Sequence, residues 1–334
     1  MLQMNGIHFS VITVVKNDLS GLKKTRESIE GQTFTNWTHI IIDGGSSLKT
    51  LNFLRALPTH NTSFISEADE GIYDAMNKGW EKASKSSYVI YLNARDVFSD
   101  NLALFSAAEA LYGSKNPEWG CTTHEEISED GAYWICKRVA DPSLNNQLFA
   151  TGYRSHQSVV MKSSFIRELG GFDTRLKVAS DWDLIAKAII NSKPAIWKHS
   201  LGRFELGGMS ANNMLQAHLE LKDLRRKYLN QNLKQRILDD IWCAYNLRYL
   251  GFTNWASKGL GLLSNKNKPK TRNLQYFKFR TIRLNLFLFT VNVLPNWELY
   301  FRIKNFLSFL NRLRFRFYRK HLMRYVTKKL GIEF

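Results

Sequence analysis

A chain of 334 residues, 44% hydrophobic and with only 6 prolines, is long enough to bury one large core or two ordinary ones, which excludes a disordered or collagen-like polymer. The 47 Lys+Arg outweigh 29 Asp+Glu to give +18, yet residues 258–334 hold 18 of the bases and only Glu298 and Glu333 as acids, so a body of +2 carries a tail of +16. Cys121, Cys136 and Cys243 form no CxxC pair and meet no histidine pair at metal spacing, which argues against a disulfide framework or zinc site and fits a reducing cytoplasm.

The opening MLQMNGIHFSVITVV has no basic region, and its apolar run is interrupted and short, so it reads as a first strand and not as a secretory leader. Residues 8–15 predict a buried strand, 22–31 a polar helix, and 38–42 a second strand running into Asp43-Gly44-Gly45-Ser46-Ser47. A helix over about 47–57, a short strand at 63–66, a helix over 72–83 and a strand at 88–92 follow. Four βα repeats with short connections predict a parallel, doubly wound sheet, in which ligands sit at the carboxyl ends of the strands. Polar clusters stand at those ends: Lys16-Asn17-Asp18, Asp43-Gly44-Gly45, Glu67-Ala68-Asp69 and Asn93-Ala94-Arg95-Asp96.

Beyond residue 118 the pattern loosens into short strands at 119–123 and 132–136, then a loop from Asp141-Pro142 to His156-Gln157. A strand at 158–161, helices at 163–169 and 182–190 and a strand at 195–204 lead into Gly207-Gly208-Met209-Ser210. Helical spacing then dominates from about 211 to 250, and the Lys-, Asn- and Gly-rich stretch 257–273 reads as a linker.

Asp43-Gly44-Gly45-Ser46 fits a tight turn beside a ligand, because glycine lets backbone approach and a carboxylate accepts from an imide or ribose donor; it fits a plain βα turn with a capping serine equally. Neither GxGxxG nor GxxxxGK[ST] is present, which disfavours a dinucleotide site and a P-loop. Asp74, Asn77 and Lys78 share one helix face, either as ligand contacts or as a solvated Asp–Lys pair.

FSVITVVKN, IIDGGSS, SEADEGIYDAMNKGW, YLNARDVF, HQSVVM, GGFD, ASDWDLIAK and LGGMS occur in the order seen in family-2 glycosyltransferases. The likeness spans about residues 8–212 and is nearest the bacterial subgroup that includes the colanic-acid transferase WcaE and related O-antigen and capsule enzymes. This resemblance implies an α/β GT-A fold, a Rossmann-like nucleotide half fused to an acceptor half. It implies donor contacts at Thr13, Val15, Asp43, Asp69 and, beside it, Glu67, with Asn77 and Lys78 near the diphosphate. Asn93-Ala94-Arg95-Asp96 falls in the Asp-x-Asp region, so Asp96 would hold Mg²⁺ or Mn²⁺. The family commonly reads Asp-Asp or Gly-Asp there; Arg95 in that place could pair with a phosphate and partly replace the metal. Asp181, in Ala179-Ser180-Asp181-Trp182-Asp183, matches the family's catalytic base, with Asp183 as second choice, Ser180 in place of its Glu, and His156 and Gln157 as acceptor-side candidates. Without the resemblance, both acids would read as residues favoured by a helix N-terminus.

In the tail, residues 284–297 are uncharged but too short to span a bilayer. Leu299, Ile303, Phe306, Leu310, Leu313 and Phe317 then make an apolar helical stripe with Arg302, Arg312, Arg316, Arg319 and Lys320 largely off it. Such a helix suits an anionic membrane surface, with packing on the body or a second subunit next and nucleic acid last. The whole chain thus reads as a GT-A domain over 1–212, a helical segment packing on it over 213–256, the linker, and a basic membrane-associating or interaction region over 274–334. The expected activity is inverting transfer from a nucleotide-sugar, UDP-linked in preference to GDP- or dTDP-linked, to a saccharide or lipid-linked acceptor of a bacterial surface polysaccharide at the cytoplasmic membrane face. The alternatives are a metal-independent transferase and a catalytically silent sugar- or nucleotide-binding module.

Overall fold

The computed structural model describes residues 4, 6–127, 133–135, 148, 155–205, 213–237, 239, 240 and 243. These lie in the first of the two units into which the chain divides, Met1–Asn254. The loop 207–210, most of 137–154, the linker 257–273 and the basic region 274–334 lie outside the described residues.

The chain begins with four βα steps. β1 (Phe9–Val15), α1 (Leu19–Glu30), β2 (Trp37–Asp43), α2 (Leu48–Arg55), β3 (Thr62–Ser66), α3 (Ile72–Lys82), β4 (Tyr88–Tyr91), β5 (Val97–Phe98) and α4 (Ala103–Gly113) follow one another. Next come β6 (Trp119–Cys121), β7 (Glu125–Ile127), β8 (Tyr133–Ile135), β9 (Val159–Lys162), α5 (Ser163–Glu168), α6 (Ser180–Asn191), β10 (Ala195–Ile196), β11 (Gly202–Glu205) and α7 (Met214–Tyr228). Seven strands form one sheet in the order β10-β6-β9-β4-β1-β2-β3, and four form a second, β5-β11-β7-β8. β4, β1, β2 and β3 are mutually parallel, as the repeats predict. β9 is antiparallel to both β4 and β6 and extends that block. The strand expected over 195–204 is divided between the sheets, because the Thr122 hydroxyl holds the carbonyls of Trp197 and His199 in a turn (2.7 and 2.6 Å).

Period-two alternation distributes the core over both faces. Phe9, Val11, Tyr88, Ile90 and Val160 pack with α4, while Ile12, Val89, Tyr91 and Met161 pack with α3, α5 and α6. Gly79 on α3 meets Ile12 so closely that an added Cβ would stand 2.5 Å from Ile12 Cγ2, which sets the helix–sheet spacing. Among the described residues, no helix is long and apolar enough to cross a membrane.

Among the polar contacts buried in this core is one that responds to pH. His39 Nε2 sits 2.9 Å from Thr13 Oγ1, with both residues fully buried. Burial, reinforced by the Arg26 charge, pushes the imidazole pKa from 6.5 down to about 3. The folded chain therefore resists a proton that the unfolded chain takes up, and stability falls as pH drops from about 6.5 towards 3. Between about pH 7 and pH 4 this costs on the order of 3 kcal/mol. His39→Gln should lose correspondingly less stability over that interval in urea titrations; parallel losses would refute the assignment.

Candidate active site

The carboxyl ends of β1, β2, β3 and β4 make one continuous rim. Asp43 closes β2 and is fully buried; its Oδ2 accepts from the Ser66 hydroxyl (2.6 Å) and the Ser46 N–H (3.1 Å). Its Oδ1 is buried and has no hydrogen-bond partner among the described residues, a costly state for a carboxylate that a ligand N–H or O–H would relieve. Gly44 donates its N–H to the Val15 carbonyl (2.9 Å), and a Cβ there would overlap the Asp69 carboxylate. Glycine thus lets Asp69 lie against the end of β2. The β1 loop joins the same rim, since Asn17 donates its N–H to Ser46 Oγ (2.7 Å) and accepts from the Ser47 N–H (3.0 Å).

The other donor-side candidates are placed as follows. Val15 ends β1 and is buried, and Thr13 points its hydroxyl at His39 in the interior. Lys78 Nζ contacts Glu67 (2.8 Å), Asp74 (3.1 Å) and the Ala68 carbonyl (3.2 Å), so its three donors are spent closing the loop before α3. Hydrogen bonding to Glu67 is the main reason that its pKa is raised. The Asn77 amide accepts from the Phe172 N–H and Trp80 Nε1–H and donates to the Phe172 carbonyl, each at 2.9 Å. It latches the Gly170-Gly171-Phe172 turn onto α3.

At the end of β4, the Thr25 hydroxyl lies 2.7 Å from the Asp96 carbonyl and accepts from the Arg95 N–H (3.1 Å). Arg95 has φ +86°, a left-handed conformation that a glycine would adopt without strain. Its Nε donates to Asp18 Oδ2 (2.5 Å) while Asp18 Oδ1 caps α1 through the Gly21 N–H (3.0 Å). Partial burial raises the Asp18 pKa, but hydrogen bonds from Arg95 and Gly21 outweigh it and the net shift is downward.

Asp96 is buried and accepts from Gln157 Nε2 (3.1 Å). The neighbouring His156 has Nδ1 3.2 Å from Asp181 Oδ2 and Nε2 3.3 Å from Asn93 Nδ2. Asp181 lies in the first turn of α6, and its Oδ1 takes the Trp182 N–H (3.0 Å). The Tyr73 hydroxyl donates to the Val178 carbonyl (2.6 Å) and lies 3.3 Å from the same Oδ1. Burial, followed by the Asp181 charge, pushes the Tyr73 pKa well above 10. His156 and Asp181 back onto an apolar cavity lined by Tyr91, Met161, Phe172 and Leu184.

Asp183, two residues after Asp181 and towards the opposite side of α6, is fully buried and bound to Lys187 (2.9 Å), Lys227 (3.0 Å) and the Tyr228 hydroxyl (2.6 Å). Burial raises its pKa, yet these three donors win and lower it. Asp183 therefore ties α6 to α7. Sequence reasoning missed Glu220 on α7, whose carboxylate accepts from three successive N–H groups, Lys177, Val178 and Ala179 (2.8, 2.9 and 2.8 Å). That carboxylate fixes the backbone leading into α6, in the segment just before Asp181. No local signal marks it.

The residues present fit a divalent ion at its minimum. Among the described residues no cluster of three His, Cys, Asp or Glu could hold a metal, but Mg²⁺ or Mn²⁺ needs only one or two carboxylates when phosphates and water complete its shell. Asp96 supplies one.

A family model described as glycosyl transferase family 2 matches residues 10–137. An uncharacterized glycosyltransferase of Mycobacterium tuberculosis is 31% identical over 230 residues, 66% of this chain and 84% of that protein. A PGL/p-HBAD biosynthesis glycosyltransferase of Mycobacterium bovis is 26% identical over 200 residues, 55% of this chain and 70% of that one. Among solved structures, S. aureus TarS 1-349 in complex with UDP-GlcNAc aligns with a TM-score of 0.54 at 16% identity, covering 80% of this chain and 78% of that chain. The mannosyltransferase PcManGT from Pyrobaculum calidifontis, in complex with GDP-Man and Mn²⁺, aligns at 0.52 and 13%, covering 82% and 80%. The fold is that of the GT-A glycosyltransferases. The chain belongs to glycosyl transferase family 2 and is a glycosyltransferase.

Proposed function

We propose that this enzyme transfers a sugar from a UDP-linked donor, with inversion, to a saccharide or lipid-linked saccharide of a bacterial surface polysaccharide. The observation that carries the reading is the joining of two carboxylates: consecutive side chains, His156 and Gln157, contact Asp181 and Asp96. Asp43 Oδ1 is the acceptor for the base or ribose, and Asp69 lies beside it against Gly44. Asp96 would hold Mg²⁺ or Mn²⁺, which when bound neutralises the charge on the departing diphosphate. Arg95, whose side chain is 60% exposed, is within the same rim and adds a cation there. Asp181 takes the proton of the acceptor hydroxyl as its oxygen attacks the anomeric carbon, and the bond to the diphosphate breaks with its electron pair leaving on UDP. Basic residues of 274–334 hold the enzyme at the anionic cytoplasmic face of the membrane.

The family, the strand-end carboxylates and a fold shared with a protein crystallised with UDP-GlcNAc support this choice. A ligand that binds only the folded state raises its melting temperature. With Mn²⁺ present, UDP should therefore raise Tm above the shifts given by GDP or dTDP, and EDTA should reverse most of that gain. A larger shift with GDP or dTDP would replace the donor assignment, and a UDP shift indifferent to EDTA would favour neutralisation by Arg95 alone.

A further inference from the structure

We infer that His156 is a positioning residue for Asp181, holding the base through an imidazole that Asn93 fixes from the end of β4. This rests on the reading of Asp181 as the base. The backbone beneath His156 is firmly set. Ser158 is fully buried, donates its N–H and hydroxyl to the Ser155 carbonyl (2.9 and 2.8 Å), and gives its own carbonyl to the Thr122 N–H (2.9 Å). Gly202 of β11 passes so close that an added Cβ would lie 3.0 Å from the Gln157 carbonyl. The turn therefore has little freedom, and what it carries is placed accurately.

The ring has two contacts. The Asp181 carboxylate accepts, so Nδ1 carries hydrogen and donates to Asp181 Oδ2 at 3.2 Å. Nε2 lies 3.3 Å from the Asn93 side-chain amide, which fixes the plane of the ring. Because Asn93 belongs to the strand end that also carries Asp96, the base is registered against the diphosphate side of the site. A displacement of about 1 Å at a reacting group costs on the order of 100-fold in rate, so this registration is worth retaining a buried polar chain.

The test uses the full-length enzyme and the UDP-sugar, among UDP-glucose, UDP-galactose and UDP-GlcNAc, that raises Tm most; UDP release is followed with water as acceptor. His156→Ala should lower kcat about 100-fold with KM for the UDP-sugar unchanged. His156→Asn places an amide N–H near the Nδ1 position and should recover most of the rate, whereas His156→Gln reaches the Nε2 position and should not. Long-range ¹⁵N–¹H spectra of ¹⁵N-histidine enzyme should show the His156 proton on Nδ1. Equal recovery by Asn and Gln, a KM effect at constant kcat, or an Nδ1 without a proton would overturn the inference. Asp181→Asn in the same assay separates the two levels: full turnover there removes the base itself, while loss there with an unaffected His156→Ala removes only the positioning role.

Discussion

Asp181→Asn should lower kcat by about 10²- to 10⁴-fold, the usual contribution of a positioned general base, and leave UDP affinity unchanged. The amide is isosteric, and its oxygen can keep the Trp182 N–H and Tyr73 hydroxyl contacts now made by Oδ1. Its nitrogen then faces His156 Nδ1, where two donors meet and the imidazole has to shift its proton to Nε2. Neither change touches Asp43 or Asp69, so nucleotide binding measured by calorimetry is the internal control. Unchanged turnover would remove Asp181 from the chemistry, and a parallel loss of UDP binding would mean that the site had come apart.

Asp43→Asn should weaken UDP binding by about 10- to 100-fold, as expected for a lost hydrogen bond to a charged acceptor, with little effect on folding. The reason is an asymmetry in the carboxylate. Oδ2 serves the protein through Ser46 and Ser66, whereas Oδ1 is buried with no partner among the described residues. Asparagine can turn its oxygen to the serines and so present an NH₂ group where the ligand requires an acceptor. Asp43→Ala is the contrasting variant, because it strands the Ser46 N–H and Ser66 hydroxyl and should cost about 1–3 kcal/mol of stability as well. Wild-type affinity in the asparagine variant would move the nucleotide elsewhere.

The parts of this fold written in local pattern are the parts the sequence discloses. β1 and β2 are short, Val- and Ile-rich runs buried on both faces, end in glycine- and asparagine-containing turns, and are followed by helices, so their order and the location of Asp43 can be read directly. The second sheet is not legible in this way. Its strands are two to four residues long and pair across long separations, Arg203 with Glu125 and Gly202 with Phe98, and no periodicity survives over so few residues. The same divide runs through the site. Asp96 and Asp181 are visible from their strand-end and helix-start positions together with the family resemblance, but their link through Gln157 and His156 exists only in three dimensions. The spacing of Lys78 allows a ligand contact or a pair with Asp74; the structure shows the Asp74 pair and adds Glu67 and the Ala68 carbonyl, which the spacing does not reveal. Glu220 shows the limit most plainly, since an acidic residue on a helix of mixed charge gives no hint that three backbone groups some forty positions earlier depend on it.

α7 has a bearing on where the smallest working enzyme can end. It grips α6 at two levels, Glu220 on the backbone ahead of it and Lys227 with Tyr228 on Asp183. A polypeptide trimmed at residue 212, although it would keep every strand-end carboxylate, would strip the buried Asp183 of Lys227 and Tyr228 and free the backbone that leads into α6. Shortened forms made for crystallisation or directed evolution should therefore run past Tyr228 before any part of the cationic remainder is discarded.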